Sequence, residues 1–93
     1  MNETNNTSKK SVHNLIMENR ERIMMSGVKR VENFDEQIIV LITDTGELTV
    51  KGENLHISKM DVDSGDMNIT GNIYGLIYNE SAKNNSFFKR LLK

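Results

Sequence analysis

Along the middle of the chain, apolar and polar residues alternate with period two. "ELTVKG" (47–52) sets Leu48 and Val50 on one side, "NLHIS" (54–58) sets Leu55 and Ile57, and "DMNITG" (66–71) sets Met67 and Ile69. "NIYGLIYN" (72–79) divides into Ile73, Gly75 and Ile77 on one side and Tyr74, Leu76 and Tyr78 on the other. Such alternation predicts strands with one buried face. "QIIVLITD" (37–44) departs from it. Ile38 through Ile42 are all apolar and largely β-branched, which predicts a strand covered on both faces. Turn-forming triplets separate these runs: Asp44-Thr45-Gly46, Gly52-Glu53-Asn54 and Asp63-Ser64-Gly65. The expected fold class is all-β, a small antiparallel meander of sandwich or roll type, with "QIIVLIT" as a central strand and a short C-terminal amphipathic helix.

One phrase occurs twice. "GELTVKG" (46–52) and "GDMNITG" (65–71) both read Gly, acid, apolar, polar, β-branched, polar, Gly. A fainter third copy, "IMMSG", aligns Ile23, Met25 and Gly27 with Leu48, Val50, Gly52 and with Met67, Ile69, Gly71. The spacings are too irregular for a solenoid. A strand closed by a glycine at a tight turn or bulge accounts for all three. Residues 12–26 are ambiguous. Ile16 and Ile23 lie seven apart, Glu18 and Arg22 form an i,i+4 pair and Gly27 could stop a helix. The rival is a hairpin of "HNLIM" and "RERIMM" joined at Glu18-Asn19, where Asn tolerates positive φ. The hairpin is preferred because it agrees with the strands around it.

Residues 1–11 are almost devoid of apolar side chains and read as a disordered tail. "ESAKNNS" (80–86) reads as a linker, leaving a β-domain at 12–79 and a linker with short helix at 80–93. In that helix Ser86 is a good N-cap. Phe87, Phe88, Leu91 and Leu92 fall within about 140° of a helical wheel, and Lys89, Arg90 and Lys93 fill the other side. These residues are the candidate interaction site, with the chain's own domain, a partner protein or an anionic membrane surface as the surfaces they could rest on.

At 93 residues the chain is one domain, without a staple: it has no cysteine, hence neither disulfide nor thiolate metal site. That suits a cytoplasmic setting. No stretch approaches the ~20 apolar residues of a membrane span, and the N-terminus carries no apolar signal-peptide core. Charge is uneven along the chain. Residues 1–30 hold six bases and three acids, 31–72 nine acids and two bases, and 73–93 four bases and one acid. Basic ends flanking an acidic middle can meet it, in the same chain or a neighbour. No basic stripe interleaved with aromatics points to nucleic acid.

Three patterns invite a chemical reading. Asp44-Thr45-Gly46 is the triplet of aspartic proteases, in which two carboxylates, one per subunit of a small dimer, share a proton and activate water. That family has Ala or Ser next, where this chain has Glu47, and Ile73-Tyr74-Gly75 lies too close in sequence to leave room for a flap. A hairpin turn uses the same residues. "DVDSGD" (61–66) resembles the start of a calcium loop, but the sixth and twelfth positions are Asp66 and Asn72 where Gly and Glu are required. His13 and His56 have no metal-ligand spacing and read as structural or surface residues. No catalytic, metal or cofactor residues are therefore assigned.

The order of phrases "HNLIMENR" (13–20), "SGVKRVENFD" (26–35), "GELTVKGENLHI" (46–57) and "MDVDSGDMNITGNIYGLIY" (60–78), with "FFKRLL" (87–92) at the end, resembles the YabP/YqfC family of sporulation proteins from endospore-forming Gram-positive bacteria. The resemblance covers His13 to about Glu80. Asn19 departs from it, since the family often has Gly there, which again fits a turn with positive φ. The resemblance implies a non-enzymatic protein of the mother cell, without cofactors, needed for the spore coat or cortex. Its implied partners are other sporulation or spore-envelope proteins. Further copies of itself are expected from the strands instead: a small β-domain has edge strands with unpaired backbone groups, and in a chain without proline nothing evident protects them.

Overall fold

The computed structural model describes residues 12–80, which form six strands: β1 (Leu15–Glu18), β2 (Arg22–Met25), β3 (Val28–Phe34), β4 (Ile38–Thr43), β5 (Gly46–Asp61) and β6 (Asp66–Asn79). All pair antiparallel in one sheet of order β1-β2-β6-β5-β4-β3. The all-β expectation holds. β3 to β6 form the meander, while the β1–β2 hairpin departs from it by lying beside β6. The expected C-terminal helix lies outside the described residues.

Residues 12–26 are a hairpin. Leu15 to Glu18 pair with Met25 to Arg22, and the Glu21 N–H donates to the Glu18 carbonyl at 2.9 Å. Both central residues of that turn, Asn19 (φ 54°) and Arg20 (φ 55°), have positive φ, as an I′ hairpin turn requires. Arg20 is an unfavourable residue there. It is held from both sides by Ile73: its carbonyl accepts the Ile73 N–H at 2.9 Å and its Nε donates to the Ile73 carbonyl at 3.2 Å.

β5 and β6 are long enough to belong to two halves of the sheet. The first half of β5 pairs with β4 and with the last residues of β6. Its second half pairs with the first residues of β6, which in turn pair with β2. Between these halves the register shifts at Lys51/Gly52 and at Glu53/His56. Bulges of this kind bend a sheet, and here the bend turns the halves toward one another over a single core. Ile23, Met67 and Ile69 from one half and Ile39, Leu41, Leu48 and Val50 from the other are all fully buried in one cluster, with Leu55 and Ile73 at the bend. A flat sheet would leave these faces wet.

The repeated phrase is this device. Each copy supplies the half-strand before a bend (Leu48 and Val50, then Met67 and Ile69) and closes with the glycine at the bend. The third copy adds Ile23 and Met25, which pair with Ile69 and Met67. At the bend the strands cross too closely for side chains. A Cβ on Gly52 would collide with the Asn72 carbonyl, and one on Gly71 (φ 139°) would lie 2.6 Å from the Asn54 carbonyl.

Two faces differ from the sequence reading. Tyr74 is an extra residue opposite the Lys51/Gly52 step, so the alternation of β6 changes phase there. Ile73 joins the core, Leu76 follows it opposite Val50, and Ile77 points outward at 43% exposure. β4 was expected to be covered on both faces. Ile39, Leu41 and Thr43 are buried, but Ile38, Val40 and Ile42 are only half-buried, because the second half-sheet covers one side of β4.

Replacing Gly71 by Ala should cost at least about 1–3 kcal/mol from its backbone conformation alone. Gly75 has nothing within 4 Å of an added Cβ, so Gly75→Ala should change stability by no more than about 0.5 kcal/mol. Urea midpoints of the two variants would check this pair.

The β3–β4 turn contains a pH-dependent cap. Asp35 Oδ1 accepts the Gln37 and Ile38 N–H groups at 2.7 and 2.9 Å. The Gln37 and then the Ile38 bond hold its carboxyl below the ordinary 3.8, against a small opposing effect of burial. A folded-state value below the unfolded one means that the contribution is present above pH 3.8 and fades as pH falls through the lowered value. Asp35→Ala should therefore be less stable than the parent at pH 7, with the gap closing in acid. Thermal midpoints between pH 7 and 2 would show it.

Candidate functional site

The chemical candidates are each engaged structurally. Asp44 sits in the β4–β5 turn, with its N–H on the Gly27 carbonyl at 2.9 Å and its Oδ2 accepting the Val12 N–H at 3.3 Å. Thr43, buried beside it, donates from Oγ1 to the Gly46 carbonyl at 2.7 Å, and its Oγ1 accepts the Thr45 N–H at 3.2 Å. This is the chemistry of a hairpin turn that also ties down the start of the β-domain. In the β5–β6 turn, Asp61 Oδ1 accepts the Asp63 and Ser64 N–H groups, and the Asp61 carbonyl accepts that of Gly65 at 2.8 Å. The carboxylate that would open a calcium loop thus caps its own turn. Among the described residues, no group of three or more His, Cys, Asp or Glu side chains converges as a metal site.

His13 joins the two ends of the described chain. Its Nδ1 lies 2.7 Å from the Ser26 carbonyl and its Nε2 2.6 Å from the Tyr78 hydroxyl. A carbonyl only accepts, so Nδ1 carries the proton and, in the neutral ring, Nε2 accepts from Tyr78. The rings meet edge-on at 5.6 Å. Burial raises the Tyr78 phenol above its usual value. No sequence pattern announces a contact between residues 65 apart. His56 is exposed, opposite Thr70.

What remains for function are the sheet's edges and its outer face. From sequence the edges had no evident protection; in the fold, three of the four have it. β1 is four residues long and ends at Glu18, which pairs with Arg22 at 3.6 Å. β3 has two register shifts and carries Lys29, Arg30 and Glu32, the latter two ion-paired at 2.6 Å. The second half of β5 has a shift at Ile57/Lys59 and carries His56, Lys59 and Asp61. Such charges and bulges discourage strand pairing. The end of β6 differs. β2 pairs with it only from Met67 to Thr70, with a last backbone contact at Ile73. From Gly75 to Asn79 ("GLIYN") it has no charge, no bulge and no second paired strand among the described residues. Ile77 and Tyr78 there are 43% and 48% exposed. Just before this stretch, Glu53, as hydrogen-bond partner, holds the Tyr74 phenol above its usual value, with burial adding to it.

The outer face adjoins this edge. Cross-strand register puts Val40, Thr49 and Ile77 in one row, with Ile38 and Ile42 on either side along β4. The interaction residues expected from sequence, Phe87, Phe88, Leu91, Leu92, Lys89 and Arg90, lie outside the described residues. No described helix is long and apolar enough to cross a membrane.

Fold and surface together define a small bent-sheet domain whose conspicuous features are an edge and a face. The YabP family model matches residues 9–85, and the chain belongs to the YabP family. It is 37% identical over 84 residues to spore protein YabP of Bacillus subtilis (strain 168), an alignment covering 87% of this chain and 84% of the relative. That agrees with the resemblance read from the order of its phrases.

Asp44→Asn keeps an oxygen that can accept the Val12 N–H. It should leave stability within about 0.5 kcal/mol of the parent, by thermal denaturation. A large loss would mean that the turn depends on the charge.

Proposed function

We propose that this chain is a non-enzymatic sporulation protein that acts in spore-envelope assembly, at the coat or cortex, through protein–protein contacts. Membership of the YabP family and the naming of its B. subtilis relative as a spore protein support the setting. The observation that carries the mode of action is the unprotected β6 edge, Gly75–Asn79. An uncharged, regular edge offers backbone donors and acceptors to an added strand, while neighbouring side chains supply selectivity. A second copy meeting it antiparallel about a two-fold axis would bring no charged residue into the pairing, whereas each of the other edges would. Its partners are thus further copies of itself or strands of other spore-envelope proteins, in the mother-cell cytoplasm at the forespore surface. The aspartic-protease alternative has no support from the Asp44 geometry.

A photo-crosslinking side chain at position 78 of the full chain, on the side of β6 away from the outer face, in sporulating cells, should form adducts with spore-envelope proteins or with a second copy. The same group at position 59, on the β5 edge, should not. Equal adducts from both positions, or none from either, would remove the edge-strand reading. A normal coat and cortex in cells lacking the chain would remove the functional one.

A further inference from the structure

In a two-layered β-domain the outward side of a strand is ordinarily polar. β4 breaks this rule with three β-branched apolar residues, Ile38, Val40 and Ile42, on the side away from the core. Ile77 on β6 extends the patch across Thr49 of β5. Gly75, opposite Lys51 on the same side, leaves open space there: an added Cβ would meet nothing within 4 Å. The amphipathic segment 86–93 is the complementary case: Phe87, Phe88, Leu91 and Leu92 have an apolar side too short to be a stable helix without a platform.

We infer that the segment 86–93 of the same chain lies on this outer face, as a third layer over β4, β5 and β6. Chain length permits it. β6 ends at Asn79, and the seven residues 80–86 reach up to about 23–25 Å when extended. The four strands β3 to β6 are about 14 Å across from first to last, so every point of the face is within range. An eight-residue helix is about 12 Å long, enough to cross about three strands. The face itself carries balanced charge, Glu47 opposite Ile42 and Lys51 opposite Ile38, so the contact rests on apolar burial. Gly75 sets no side chain in the way of Phe87 or Phe88. The all-apolar run of β4 then has its cover, one side from the second half-sheet and the other from the tail.

The absence of cysteine makes a direct test clean. The full chain with Lys89→Cys, carrying a nitroxide spin label, should lose the methyl NMR signals of Val40, Ile42 and Ile77 and retain those of the distant Ile16. Adding Val40→Lys should restore the Ile42 and Ile77 signals, since Lys repels the basic tail and interrupts the patch. In an equal mixture of spin-labelled chains lacking isotope and isotope-labelled chains lacking the nitroxide, the signals should persist. Their loss in the mixture would mean that a second copy's tail occupies the face, and would overturn the intramolecular assignment. Retention of all signals in the singly labelled chain would place the tail elsewhere, on a partner or a membrane surface, and would overturn it too. This result is read apart from the crosslinking outcome, because position 78 lies on the side of β6 opposite the outer face.

Discussion

The close approach of β5 and β6 at Gly52 and Gly71 is the constraint on which the remaining architecture depends. Each glycine lies against backbone just beyond the other: Gly52 against Asn72, Gly71 against Asn54. Only at that separation can two long paired strands bend together and carry their ladder from one half of the sheet into the other. Everything apolar follows from the bend. It converts six strands in one sheet into two facing surfaces and allows a chain of this size, without a disulfide, to bury a contiguous cluster. The hydrogen bonds of Gly71 N–H to Glu21 and of Ile73 N–H to Arg20 then anchor the first hairpin against the bend. The strained Arg20 is thus held at the place where the sheet changes direction.

Much of this was legible in the sequence. Period-two alternation located Leu48, Val50, Met67 and Ile69 in the core, and Asn19 marked the turn of the first hairpin. The repeated phrase signalled equivalent half-strands, each ending in a glycine that the fold requires. The alternation failed at Tyr74, because a bulge adds one residue to one strand and leaves no compositional mark there. Ile73 and Ile77 therefore share a parity in sequence but not a face. The partnership of β2 with β6 was also invisible: short apolar strands pair with many neighbours equally well, and the bend selects among them. The contact of His13 with Tyr78 is long-range chemistry between two residues that are each unremarkable in isolation.

The candidate site was less legible, for a physical reason. An enzyme concentrates chemistry in a few side chains, and such side chains can be recognised by type and spacing. Here the lures of that kind are spent on backbone: Asp44 on Val12, Asp61 on its own turn, Asp35 on the β3–β4 turn. An edge strand binds through groups that every residue possesses, so what distinguishes it is the lack of protection. That lack becomes visible only when all four edges are compared in three dimensions. "GLIYN" is unremarkable as a phrase. It becomes informative because its competitors carry Glu18, Lys29, Arg30, His56, Lys59 and Asp61, and it carries nothing of the kind.

The same comparison explains why β4 can be all-apolar in a domain whose other strands alternate. A strand with one solvated side gains nothing from isoleucine there, and exposed β-branched rows beside an open edge invite aggregation. Ile38, Val40 and Ile42 are half-buried in the described fold, and a cover over them would bury what remains. A tail tethered seven residues away does so at a high effective concentration, without requiring a partner to be present. It also separates the two surfaces by their physics. On the proposed placement of the tail, the outer face is closed by side-chain burial within the chain, and the β6 edge stays available for backbone pairing. A protein that joins assemblies through an edge needs that separation, since an uncovered apolar face beside the edge would let strands stack as readily as pair.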